Sequence, residues 1–188
     1  MRPTKRDELV DKALRTFYAN GFHATGMDRL VAETGISKTS MYKHFRSKEA
    51  LILATLQLRD QQFRDWLFRR MAALGRTPGE QLLAAFDAVG EWCSEPGFRG
   101  CLFVKAVAEF QEPNDPIHAQ AAAHKALLLE HFRSLAAAAG AVHPAQLARQ
   151  LLILKEGAIV AAQVEGCREA AAQAKAAAAT LLDCALAH

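Results

Sequence analysis

The three residues Gly35-Ile36-Ser37 constrain this chain more than any other stretch, because they end one short helix and begin the next with one residue between. Gly35 supplies a left-handed stop that a side chain with a Cβ resists, and Ser37 is a hydroxyl N-cap. Upstream, Met27, Leu30, Val31 and Thr34 recur at helical spacing. Thr25, with Asp28 three residues on, is the expected cap of that helix, which should begin near Gly26. Downstream, Lys38 to His44 is long enough for about two turns. Met41 and Phe45 are i, i+4 neighbours that turn inward, with Ile36 as an apolar plug in the turn. Helices this short are marginal alone, so packing must hold them, as in a helix-turn-helix.

With Met41 and Phe45 inward, Lys38, Thr39, Ser40, Tyr42, Lys43 and His44 are left outside, with no acid among them. Hydroxyls, a phenol, an ammonium and an imidazole suit a major groove lined by base-edge acceptors and flanked by phosphates. A merely solvated polar hairpin is the plainer reading, and charge argues against it. Through Lys48 there are ten Lys or Arg against five acids, a net +5, whereas residues 49–188 carry thirteen against fifteen, a net −2. Basic charge gathered on the motif is the footprint of a nucleic-acid binder. Ser47 caps a further helix at Lys48, where free N–H groups, helix dipole and ammonium could converge on a phosphate. The expected DNA-binding set is therefore Thr25, Tyr42 and Lys48 on phosphates, Thr39, Ser40, Lys43 and His44 towards bases, and Lys38 beside them.

The segment GFHATGMDRLVAETGISKTSMYKHFRSKEAL resembles the DNA-binding region of the tetracycline-repressor (TetR) family of bacterial regulators. The resemblance rests on Gly21-Phe22 followed by Thr25, on the turn AETGIS, and on Tyr42, Phe45, Ser47, Lys48 and Leu51, and covers roughly residues 5–55. Gly26 and Thr39 stand where other members often carry a small hydroxyl residue and a glycine, so base preference does not transfer. The resemblance implies a homodimeric repressor on a palindromic operator, with an N-terminal three-helix DNA-binding domain, expected at 1–48, and a C-terminal helical ligand-binding and dimerisation domain at 49–188. It also implies that movement at the far end of the fourth helix changes the separation of the two reading heads.

The rest of the chain reads as helix, giving an all-α protein of about nine helices. Thr4 and Asp7 form a capping box opening a first helix that stops at Asn20-Gly21; Lys5 and Arg6 on it either reach the DNA backbone or are a solvated helix start. Ile52, Leu56, Phe63, Leu67, Met71 and Leu74 stripe a long helix from Lys48 to about Gly75. Thr77-Pro78-Gly79-Glu80 starts a fifth, and a sixth is expected from Arg99 to Gln111. After Pro116 a seventh runs to about Ala139, after Pro144 an eighth to Gly166, and a ninth from Glu169 to about Leu186. The alanine-dense last segment could instead be read as a floppy low-complexity tail.

The eighth helix is apolar in nearly every direction, so a second subunit is expected to cover one side; Leu147, Leu151, Leu154, Ile159, Leu181 and Leu182 are the expected dimer residues, on the last two helices. In the second domain, Phe86, Trp92, Phe103, Phe110 and Phe132 are either plain core or the wall of an apolar effector cavity, as the resemblance implies, completed by Cys101, Val107 and Leu128. His124 and His131 fall on the same face, as buried core histidines or as polar anchors in that cavity; their spacing does not suit a shared metal. Cys101, beside Arg99 in the expected first turn of the sixth helix, is either a buried thiol or a sensor of electrophiles.

Cys93, Cys101, Cys167 and Cys184 show no C-x-x-C spacing, which leaves four buried thiols as the simple expectation. No catalytic constellation, metal site or cofactor motif is visible. No run approaches the ~20 apolar residues of a membrane span and the N-terminus lacks a signal-type apolar run, so the expected setting is the cytoplasm.

Overall fold

The structure, a computed structural model, describes residues 4–166 and 169–186. Among them the chain is helix and turn throughout: α1 (Lys5–Asn20), α2 (Met27–Thr34), α3 (Lys38–His44), α4 (Lys48–Leu74), α5 (Pro78–Cys93), α6 (Leu102–Glu109), α7 (Pro116–Ala138), α8 (Pro144–Glu165) and α9 (Ala170–Leu186). The all-α expectation holds.

Most boundaries follow local chemistry. The Thr4 hydroxyl accepts from the Asp7 N–H at 3.2 Å while the Asp7 carboxylate accepts from the Thr4 N–H at 3.0 Å, and Thr77 with Glu80 repeats the arrangement behind Pro78. Gly35 stops α2 at φ +69°, and Ser37 caps α3 by accepting from the Ser40 N–H at 3.2 Å. α9 is a formed helix, so the floppy-tail reading of the alanine-rich segment falls.

Two boundaries differ. α2 is preceded by Gly26, which offers no side-chain cap, because the Thr25 hydroxyl turns back to donate to the Gly21 carbonyl at 2.6 Å. α6 begins three residues later than expected, at Leu102, because Gly100 sits at φ +78°, through which a right-handed helix cannot run. Cys101 therefore precedes α6 rather than standing in its first turn.

The described residues form two compact units, and their division does not fall at 48. The first holds residues up to Gln62 together with Leu102–His124; the second holds Phe63–Cys101 and the residues from Lys125 on.

In the first unit, Leu9, Phe17, Phe22, Leu30, Met41, Phe45, Leu51, Ile52 and Leu56 are buried. Lys12 ties α1 to the end of α2, its ammonium donating to the Thr34 carbonyl at 3.0 Å. α6 holds the last turn of α1 and the loop that follows it. The Glu109 carboxylate accepts from the backbone N–H groups of Phe22 and His23 at 2.9 and 2.5 Å, and the Lys105 ammonium donates to the Tyr18 carbonyl at 2.9 Å.

In the second unit, Leu67, Met71, Leu82, Phe86, Val89, Leu128, Phe132, Leu147, Leu151 and Leu182 are buried. α9 comes close to α5, so that a Cβ at Gly90 would lie 3.3 Å from the Cβ of Ala171, and the Lys175 ammonium meets the Asp87 carboxylate at 2.6 Å. Small side chains on α9 are what permit that approach.

Candidate nucleic-acid interface and sensor core

α3 turns Met41 inward and Phe45 follows it into the core, which leaves Lys38, Thr39, Tyr42, Lys43 and His44 exposed and Ser40 half-buried. Exposure of the Tyr42 phenol, at 48 %, leaves its hydroxyl available to an acceptor. Many of the basic residues around the motif are already engaged: Arg15 pairs with Asp11, Arg29 with Glu33, and Lys12 with Glu8 and Thr34. Arg6 lies over the Phe45 ring at 4.9 Å. Lys38, Lys43 and Arg46 have no carboxylate partner among the described residues, so their charge is available to a polyanion.

Two residues of the expected set are placed elsewhere. Thr25 is fully buried, its hydroxyl spent on the Gly21 carbonyl, so its side chain does not reach a phosphate. The Lys48 ammonium points into the fold, donating to the carbonyls of Phe22 at 3.1 Å and Thr25 at 3.3 Å. Both hold the loop before α2 instead of contacting DNA.

The expected effector residues divide between the units. In the first, Phe103 stacks on His124 at 3.7 Å, and His124 Nδ1 meets the Asp60 carboxylate at 2.7 Å in the buried interior. Val107 is exposed and Phe110 packs against Phe22 and His23, centroids 6.0 and 4.7 Å away, so neither lines an interior cavity. A half-open groove of about 530 Å³ between α1 and α4 is walled by Val10, Ala54 and Leu58 and rimmed by charged and amide side chains such as Arg6, Asp11 and Gln57; none of the expected effector residues lines it.

In the second unit Phe86, Leu128 and Phe132 are buried. Trp92 stands edge-on to Phe63 and Phe98, centroids 5.2 and 5.0 Å away. His131 is half-buried and stacks on Phe68 at 3.6 Å; burial pulls its pKa below the ordinary value. Cys101 is buried with its Sγ 3.4 Å from the Lys125 ammonium. Of the other thiols, Cys93 is half-buried and pushed up to about 11 by desolvation, and Cys184 is exposed, so the expectation of uniformly buried thiols fails. Cys167 lies outside the described residues.

The sequence reading missed a charged cluster here. Lys125 and Lys155 both pair with Glu156, each nitrogen 2.6 Å from a different carboxylate oxygen. Burial alone would raise the Glu156 pKa, but the ammonium groups of Lys155 and Lys125 outweigh it and hold the carboxyl at about 2. Burial would lower the Lys125 pKa, and Cys101 and Glu156 outweigh that and leave it raised. The signal was present: Lys155 interrupts the otherwise apolar Leu147–Leu151–Ala158–Ile159 side of α8.

The dimer expectation needs similar correction. Leu147, Leu151, Ile159 and Leu182 are buried within the chain, and Leu154 and Leu181 half-buried, so most have little surface to offer a partner. α8 instead exposes Ile153, Val160 and Val164, in line with Gly157, on the side opposite its buried stripe.

A family model described as bacterial regulatory proteins of the tetR family matches residues 9–55, and one described as the tetracyclin repressor-like C-terminal domain matches residues 78–178. The HTH-type transcriptional regulator YjdC of Escherichia coli is 24 % identical over 155 residues, 82 % of this chain and 81 % of that protein. A TetR-family regulator from Streptomyces coelicolor superposes with TM-score 0.89 at 30 % identity, over 96 % of this chain and 95 % of that one. A tetR-type transcriptional regulator from Streptomyces avermitilis gives TM-score 0.87 at 32 % identity, over 99 % and 100 % of the two chains. No described helix is long and apolar enough to cross a membrane.

Proposed function

This chain belongs to the TetR family of bacterial regulatory proteins, and from that premise we propose that it is a homodimeric repressor that leaves a palindromic operator when a small hydrophobic effector binds. It is a helix-turn-helix transcriptional regulator, not an enzyme. The observation that carries the reading is α3: a helix with Thr39, Tyr42, Lys43 and His44 outward and the charges of Lys38, Lys43 and Arg46 unspent. Phosphate contacts from Tyr42 and Lys38 set register, and Thr39, Lys43 and His44, with Ser40, read base edges. Two copies joined through the Ile153, Gly157, Val160 and Val164 face of α8, with α9 alongside, present two recognition helices to half-sites about 34–36 Å apart or a multiple of that.

The test is selection of bound DNA from a random pool followed by gel shifts. Lys43→Ala should change the preferred sequence, whereas Lys38→Ala should weaken binding to all sequences alike. Unchanged preference and affinity in both variants would overturn the assignment of α3.

A second reading is favoured by one contact. The Lys125 ammonium lies 3.4 Å from Cys101 Sγ, and a cation beside a cysteine sulfur is an arrangement that suits an electrophile sensor. If Cys101→Ser releases operator DNA on treatment with an electrophile as readily as the native protein, that reading is excluded.

A further inference from the structure

We propose that the effector is an apolar monocarboxylate whose head group is bound by Lys155 in the second unit, an inference that rests on the ligand-responsive reading above. Lys155 is 1 % exposed, and among the described residues Glu156 Oε1 at 2.6 Å is its hydrogen-bond acceptor. An ammonium has three donors, so two are left to be filled in a place where water is largely excluded. The other oxygen of Glu156 is taken by Lys125 at 2.6 Å. One carboxylate thus faces two cations, and with Cys101 as the neutral thiol the cluster carries one positive charge more than Glu156 balances.

Such an imbalance is not a stabilising device, since an apolar side chain at 155 would continue the buried stripe of α8 at lower desolvation cost. It is what a site for one negative charge requires. The surroundings specify the remainder of the ligand. The Phe63 ring lies 5.9 Å from the Lys155 nitrogen, Trp66 and Trp92 lie 5.4 and 5.2 Å from Phe63 by ring centroids, and Phe98 lies 5.0 Å beyond Trp92. An aromatic wall beside a surplus cation suits an aryl or alkyl acid, and one surplus charge next to Glu156 suits a monoanion better than a phosphate.

The experiment titrates the full-length protein with benzoate, 4-phenylbutyrate and octanoate, each paired with its primary amide, by calorimetry. At least one acid is expected to bind ten-fold or more tightly than its amide. Lys155→Met should close that gap while leaving the amide's affinity within two-fold, and Glu156→Gln, which removes the competing carboxylate, should widen it. No acid outbinding its amide overturns the proposal, as does a gap that survives Lys155→Met. A gap lost in Cys101→Ser with Lys155 intact assigns recognition to the thiol and overturns it as well. If Lys155→Met fails to fold, the native acid–amide comparison and Glu156→Gln decide. Gel shifts in parallel separate the two readings: DNA binding without acid preference sinks only the carboxylate site, and acid preference without operator release sinks only the regulatory link.

Discussion

Lys43 and Lys48 carry the same charge five residues apart and serve different ends. Lys43 is exposed with no carboxylate partner, while the Lys48 ammonium joins the Phe22 and Thr25 carbonyls 26 and 23 residues away in the chain. Lys48→Met should therefore strip the Thr25 carbonyl of its ammonium donor and leave the Phe22 carbonyl with the Thr25 N–H alone, at a cost of about 1–3 kcal/mol in chemical denaturation. Lys43→Met should leave stability within about 0.5 kcal/mol yet change the preferred operator sequence, as the loss of a base-edge contact would. The reverse pattern would return Lys48 to the DNA. Glu156 gives a second prediction. Its folded pKa of about 2 lies below the ordinary 4.5, so its contribution is present above pH 4.5 and is lost as pH falls from there towards 2. Denaturation curves at pH 6, 4 and 3 should show Glu156→Gln losing less stability over that window than the native chain. At this scale the sequence displayed charges and hid acceptors. Thr25 looked like a cap until the Gly21 carbonyl came within 2.6 Å of its hydroxyl.

Helices were legible where their ends are made by local chemistry and illegible where their rotation is set by packing. Thr4, Thr77, Gly35 and Ser37 act on residues within one turn, and each did what its type dictates. Gly100 also acts locally, but nothing in a single sequence said that it would adopt φ +78° and delay α6. For α8 the apolar count was right and the phase was not: a helix apolar all round offers no periodic contrast from which to choose the buried side. The structure puts Leu151 at 0 % exposure and Val164 at 75 %. Val160→Glu should consequently convert the proposed dimer to a monomer in sedimentation while leaving helicity unchanged. Leu151→Ala should instead cost about 2–5 kcal/mol of stability with no selective loss of dimer. A dimer that tolerates Val160→Glu would move the interface off this stripe.

Over the whole molecule, a net +5 through Lys48 against −2 beyond it separates a part that seeks a polyanion from a part that does not. That asymmetry, the all-α content and the order of elements were readable without coordinates. The make-up of the two compact units was not, because α6, remote in sequence, joins the first of them through Lys105 on the α1 residue Tyr18 and Glu109 on the loop after α1. Glu109 accepts from two backbone donors of that loop, so anything that draws α6 away from it loosens the support of α2 and α3. If an acid at Lys155 lowers operator affinity, linkage requires operator DNA to lower acid affinity by the same factor, because both describe one coupling free energy. Calorimetric titration of the best-binding acid, with and without saturating operator, should give a ratio of dissociation constants equal to the ratio of operator affinities without and with acid. Glu109→Ala, which removes the hold of α6 on the Phe22 and His23 N–H groups, should bring both ratios towards one together while leaving acid affinity of the free protein unchanged. Ratios that disagree would mean that the acid displaces DNA by competing for the cationic face, and a coupling that survives Glu109→Ala would show that α6 does not carry it.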